Sequence, residues 1–244
     1  MANPTYRRVL LKISGEAFCA PGGFGIDAEE LELISREIGN AATLGTQLAV
    51  VVGGGNLIRG AAFARNGQID QAVADHMGML GTAINGLALK EMLDERGHEA
   101  RVLSALNLTS VAETFIRGRA IRHLEKGRIV IFVAGQGNPF YTTDSAAALR
   151  AAEIGADVLL KATKVDGVYD KDPMVHDDAT RFDSLSFQEA IRRNLKIMDL
   201  TAFDMCRNHG IPIVVFNMKR RGHIAEVVQG ADHGTHVIPE TESP

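Results

Sequence analysis

The chain alternates between short apolar runs and longer stretches in which apolar residues recur every three or four positions. VLLKI (Val9 to Ile13), QLAVVV, ARVLSAL, RIVIFVAG, ADVLLKAT and IPIVVFN have strand length and are rich in residues that pack well on a pleated surface. Leu31, Ile34, Ile38 and Ala41 recur at helical spacing. Asp27 is placed as their N-cap, with Glu30 completing a capping box, and Gly45 ends the helix. Val73, Met77, Leu80, Ile84 and Leu87 predict a long helix to about Arg96. Arg117–Lys126 and an alanine-rich segment after Asp144 predict two more. Strands that are apolar throughout need cover on both faces, so the pattern predicts an α/β fold with a mostly parallel central sheet sandwiched by helices. Neither a low-complexity linker nor an internal repeat interrupts it, so a single domain over residues 1–244 is expected.

In such sheets ligands bind just beyond the carboxyl ends of strands, and the unusual residues of this chain stand there. VVVGGGNLIRG (Val50 to Gly60) ends an apolar run in three glycines and an arginine. Glycine there costs up to about 1 kcal/mol of chain entropy each, a cost accepted where a bulky ligand must touch backbone. Bare amides at a helix start suit phosphate, and Arg59 adds a candidate bidentate grip. A tight strand-to-helix turn is the plainer account of the same glycines. LLKISGEAF puts Lys12 inside an apolar strand, where burial is costly unless it meets an anion. Ser14 and Gly15 follow it. AGQGNPFYTTDSAAALRAAE (Ala134 to Glu153) offers hydrogen bonds rather than charge, then Asp144 at a helix start. LLKATKVDGVYDKDP is a strand followed by a turn-rich loop.

Composition narrows this picture. The formal net charge of -4 gives nothing global to attract nucleic acid, and Lys219-Arg220-Arg221 reads as a solvated turn. No apolar run approaches the roughly 18 residues of a membrane span, and MANPTYRRVL lacks a signal-peptide core. Two cysteines, Cys19 and Cys206, make neither a disulfide framework nor a zinc cluster. A cytoplasmic protein with reduced thiols is expected. The P-loop and the dinucleotide fingerprint are both absent, and the eight histidines show no Ser/His/Asp or metal-ligand spacing. Two anion sites, Lys12 with Gly15 and the triple glycine with Arg59, suggest phosphoryl transfer between two phosphorylated ligands. Such chemistry needs positioning and cations more than a nucleophile.

LLKISGEA, GGGNLIRG, ADHMGMLGTAING, GNPFYTTDSAA, LLKATKVDGVYDKDP and KIMDLTAF together resemble the bacterial uridylate kinases of the amino-acid kinase superfamily, in order from about Tyr6 to the C-terminus. The resemblance implies a three-layer amino-acid kinase-like fold and transfer of the ATP γ-phosphoryl group to UMP, with Mg2+ held mainly by nucleotide phosphates and no protein metal ligand assigned. It places Lys12, Ile13, Ser14, Gly15, Gly55, Arg59, Thr163, Tyr169 and Asp172 at ATP. Gly54, Asp75 and the loop Gln136, Gly137, Asn138, Pro139, Phe140, Tyr141, Thr142 and Thr143 fall at UMP. Lys12, Asp144 and Asp199 take catalytic positions, though Asp144 also reads as a first-turn carboxylate and Asp199 as an N-cap. Gln136 stands where the family pattern has Thr. The resemblance further implies a homohexamer, activation by GTP and inhibition by UTP, with Lys90, Arg101 and Arg128 as candidate effector residues or scattered surface charge. RRGHIAEVV matches poorly and is expected at the surface or a subunit contact. A kinase for another small acceptor and a non-catalytic nucleotide-binding regulator are the alternatives; Asp75 and the polar loop argue against the first if its acceptor is apolar. Retention of Lys12 and Asp144 argues against the second.

Overall fold

The computed structural model describes residues 5–58 and 69–240. The six apolar runs form β1 (Arg8–Ile13), β2 (Gln47–Val52), β3 (Ala100–Ser104), β5 (Ile129–Val133), β6 (Val158–Thr163) and β8 (Ile213–Asn217). Three short strands, β4 (Glu113–Thr114), β7 (Ser184–Ser186) and β9 (Thr235–Ile238), extend the sheet at its two ends. The order is β4-β3-β5-β2-β1-β6-β8-β9-β7. Among the described strands, all pairings are parallel except β8 with β9. The expected mostly parallel sheet is therefore present, with one reversal that the apolar pattern does not signal.

Side-chain alternation divides the core into two layers. Val9, Leu11 and Ile13 of β1 pack on one face with α1 (Ala28–Ala42), α2 (Gln71–Glu95) and, near the chain's end, α7 (His223–Val228). Leu10 faces the other side, where α3 (Arg117–Glu125), α4 (Thr143–Ile154), α5 (Phe187–Arg192) and α6 (Leu200–Asn208) cover β2, β5, β6 and β8. Ala147, Ala148 and Ala151 of α4 are completely buried. Their small side chains let α4 lie close against β1 and α6.

Local signals are mostly obeyed, with informative exceptions. Asp27 caps α1, its Oδ1 accepting from the amides of Glu29 and Glu30 at 3.0 and 3.1 Å. The expected capping box gives way to a tertiary contact: Glu30 reaches Lys219 at 2.6 Å instead. Helix α1 stops at Ala42, and Gly45 serves the turn that follows, at φ 83°. The third apolar run is strand only to Ser104. Helix α4 begins at Thr143, and Thr142 caps it in a capping box with Ser145.

Candidate active site

Lys12 and Lys161 stand side by side on adjacent strands, because the parallel register of β1 with β6 pairs these two positions. Both point to the α4 face, being in phase with Leu10 and Leu159. Asp144, in the first turn of α4, lies between them. Lys161 Nζ donates to its Oδ2 at 2.7 Å. Lys12 Nζ is 2.8 Å from Oδ1, an ion pair whose alignment falls short of a hydrogen bond. Lys161 also donates to the carbonyl of Ile197. Burial by itself would raise the Asp144 carboxyl, but the two ammonium groups outweigh it and hold the group below its usual range. Burial pushes Lys161 down against the opposing pull of Asp144. The constellation carries two positive charges on one carboxylate, a net cation at the C-terminal edge of the sheet.

Sequence reasoning selected Lys12 and missed Lys161. The signal was available, since LLK recurs in β1 and β6 and the desolvation argument applies equally to both. Cys206 faces the same carboxylate. Burial, aided by the charge of Asp144, pushes its thiol up to about 12, so it is no nucleophile near neutral pH.

Asp199 holds two helix starts together. Its Oδ1 caps α6 through the amide of Ala202 at 2.9 Å. Its Oδ2 accepts from Ser145 Oγ at 2.9 Å and from Thr142 Oγ1. The N-cap reading of Asp199 is thus correct and incomplete.

Two cavities flank these charges. One, of about 220 Å3, is lined by Gly54, Gly55, Asp75, Thr82, Gln136, Asn138 and Tyr141 to Thr143. Gly137, Pro139 and Phe140, expected in the same loop, do not line it. Phe140 is 72% exposed at φ 70° and gives its amide to Asp75 Oδ2 at 2.7 Å. Asp75 Oδ1 accepts from Gln71 at 2.7 Å, so a ligand hydroxyl there shares an engaged carboxylate. The second cavity, of about 490 Å3, is lined by Lys161, Thr163, Tyr169, Asp172 and Lys196, among others. Thr163 Oγ1 is turned inward, to the carbonyls of Val165 and Phe216. Ile13 is fully buried, leaving only its backbone near the strand end, and its carbonyl accepts from Gly53. Ser14 caps the short 3-10 turn Gly15–Phe18.

The glycine-rich turn has a different cause from the one expected of all three glycines. A Cβ on Gly53 would meet the Gly15 amide at 2.5 Å, and one on Gly15 the Gly55 amide at 2.5 Å. A Cβ on Gly54 would strike the Gly78 carbonyl of α2, also at 2.5 Å. These three glycines permit backbone to pack on backbone, whereas Gly55 alone opens to free space. Buried Asn56 and Asn85 clamp the turn, Asn85 donating to Gly53 O at 2.8 Å and to Asn56 at 2.7 Å. Thr82 likewise accepts from the amide of Ala134, held at φ 61° where the 220 Å3 cavity's loop begins. Sequence reasoning missed these three supports, since their role depends on partners distant in the chain. Arg59 lies outside the described residues. Lys90 pairs with Asp94 and lines a cavity of about 430 Å3, while Arg101 and Arg128 share Glu99 and are not in that cavity's wall.

A carboxylate bracketed by lysines, with one cavity at Lys161 and another at Thr142 and Thr143, suits transfer of an anionic group. The model of the amino acid kinase family matches residues 7–217. Uridylate kinases of Xanthomonas campestris pv. campestris and Xanthomonas oryzae pv. oryzae are 53% and 52% identical, each over 97% of this chain and 98% of the relative. The crystal structure of UMP kinase from Bacillus anthracis superposes with a TM-score of 0.93 at 37% identity, covering 97% of both chains. That of UMP kinase from Ureaplasma parvum gives 0.88 at 34%, covering 95% of this chain and 98% of the other. The chain belongs to the amino acid kinase family, among its uridylate kinases.

Proposed function

We infer that the chain transfers the γ-phosphoryl group of ATP to UMP, giving ADP and UDP. The observation that carries this reading is the Lys12–Asp144–Lys161 cluster between two cavities. ATP occupies the 490 Å3 cavity, with Tyr169 and Asp172 at its wall, and its phosphates reach Lys12 and Lys161. UMP occupies the 220 Å3 cavity, read by Asp75, Gln136, Asn138 and Thr143. The lysines neutralise the charge of the moving phosphoryl group. Asp144 positions them and keeps them from repelling one another, and Asp199 fixes the loop that carries Thr142. Gly55, in the wall of the 220 Å3 cavity, offers its amide to phosphate.

Mg2+ fits as an ion carried in by the nucleotide. Both Asp144 oxygens face lysines and both Asp199 oxygens accept from Thr142, Ser145 and Ala202, so the carboxylates present here form no ready octahedral cage. When bound, the ion supplies further neutralisation of phosphate charge.

The same reading takes residues 1–244 as one domain and places the protein in the cytoplasm. It is consistent with buried free thiols at Cys19 and Cys206, and no described helix is long and apolar enough to cross a membrane. It extends to a homohexamer, GTP activation and UTP inhibition. Measuring ADP release with UMP, CMP, dUMP and AMP as acceptors tests the central assignment. UMP is expected to give the highest kcat/KM; no stimulation by UMP would overturn it.

A further inference from the structure

Far along the sheet from Asp75, three side chains converge that phosphoryl transfer does not use. His223 opens α7, Glu226 follows one turn later on the same helix, and His233 lies in the turn before β9. Their ligand atoms all lie within 4.8 Å of one another. His233 Nε2 is 2.9 Å from Glu226 Oε2, and the His223 and His233 rings stack at 4.5 Å, 9° from parallel. No metal-ligand spacing is evident among the histidines in the sequence, because the third member depends on how the turn folds back on α7. The structure brings the three side chains together.

We propose that His223, Glu226 and His233 form a binding site for a borderline divalent transition ion of the Zn2+ class. The donor set of two imidazoles and one carboxylate matches that class, whereas Mg2+ prefers oxygen ligands alone. His223 is already oriented for the role. Its Nδ1 lies 3.1 Å from the Asn217 carbonyl, which fixes the proton there and leaves the Nε2 lone pair free. The ion takes the place of the direct contact of His233 with Glu226. Bonds of about 2.0–2.2 Å require the widest donor pair to close by on the order of 1 Å and the stacked rings to rotate until their in-plane lone pairs converge, movements open to part-exposed side chains.

The backbone around the site is firmly set. The Ala231 amide donates to the Glu226 carbonyl at 2.9 Å, and Gly234, at φ 93°, is packed so tightly that a Cβ would meet the Val215 carbonyl at 2.2 Å. A cavity of about 170 Å3 adjoins both imidazoles, with Asp166, Tyr169 and Arg220 in its wall. It leaves a coordination position for water, the arrangement of three protein ligands and one open site common to non-structural zinc.

The test uses tag-free, chelator-treated full-length protein titrated with Zn2+ in millimolar Mg2+ by isothermal calorimetry, with Co2+ as an optical probe. One ion per chain is expected, insensitive to Mg2+. His223→Asn, His233→Asn and Glu226→Gln should each weaken binding at least about tenfold, and His176→Asn, outside the cluster, should not. Circular dichroism of each variant in chelator establishes that it is folded, and its Mg2+-supported kinase activity should match that of the parent. Absence of saturable Zn2+ binding, displacement by Mg2+, or full affinity in folded Glu226→Gln and His233→Asn would overturn the site.

Discussion

Lys12 and Lys161 share one rung of the sheet and one carboxylate, yet pH acts on the members of this trio in opposite senses. The Asp144 carboxyl is held below its usual range, so its stabilisation is present above the unfolded value of about 3.9 and is lost as pH falls through the folded one. Lys161 is pushed below its ordinary 10.5, so its charge, needed for phosphate, is lost on the alkaline side earlier than for an exposed lysine. The alkaline limb of kcat/KM for ATP should therefore fall below the ordinary lysine range. Lys161→Arg should move that limb upward, because a guanidinium stays charged; an unmoved limb in the pH–rate profile would assign it to another group. Lys12→Ala should lower kcat by roughly 10²–10³, on the scale of removing a strong transition-state donor, with a smaller change in nucleotide affinity. Asp144→Asn leaves two ammonium groups without their counter-charge, at a cost of about 3–5 kcal/mol. Thermal unfolding should show that loss, and added ATP should restore part of it by supplying the missing anion. No recovery with ATP would argue that phosphates do not reach this pair.

Among the elements, the turn after β2 separates packing from ligand contact at neighbouring residues. Gly54→Ala drives a methyl group into the backbone of α2, at Gly78 O and Thr82 N, neither of which yields without moving the helix. It should cost about 1–3 kcal/mol. Gly55→Ala meets nothing and should leave stability within about 0.5 kcal/mol, while raising KM if its amide serves phosphate. Chemical denaturation beside steady-state kinetics distinguishes the two effects; equal destabilisation by both substitutions would refute the distinction. This turn also shows what was legible. GGG was conspicuous in the sequence, but which glycine faces a ligand depended on α2 and on the Ser14–Gly15 loop lying against it. The long apolar strands and the amphipathic α1 were readable because burial imposes periodicity. The three-residue β7 and the reversed β9 were not, since so short a run carries no period and pairing direction is settled by tertiary contact. Lys161 was readable and overlooked, while Asn56, Asn85 and Thr82 look unremarkable until their partners are known.

At the scale of the whole molecule, α2 presents a question that one chain leaves open. Val73, Leu80 and Ile84 are 52%, 45% and 51% exposed, and spacings of seven and four place them on one side of the helix. An apolar stripe of this kind marks an interaction surface more often than a solvated face. The homo-oligomer proposed above would place a second copy over it. The same helix carries Asp75 and Gly78 into the 220 Å3 cavity, so a partner on its outer side would also steady the acceptor site. Leu80→Glu and Ile84→Glu place a charge on the stripe without touching the buried side of α2. Each should lower the sedimenting mass while circular dichroism stays that of the parent. Because Asp75 rides on the freed helix, KM for UMP should rise more than KM for ATP. A variant that keeps the parent's mass would move the subunit contact to another surface, and a dissociated variant with unchanged KM for UMP would separate assembly from the acceptor site.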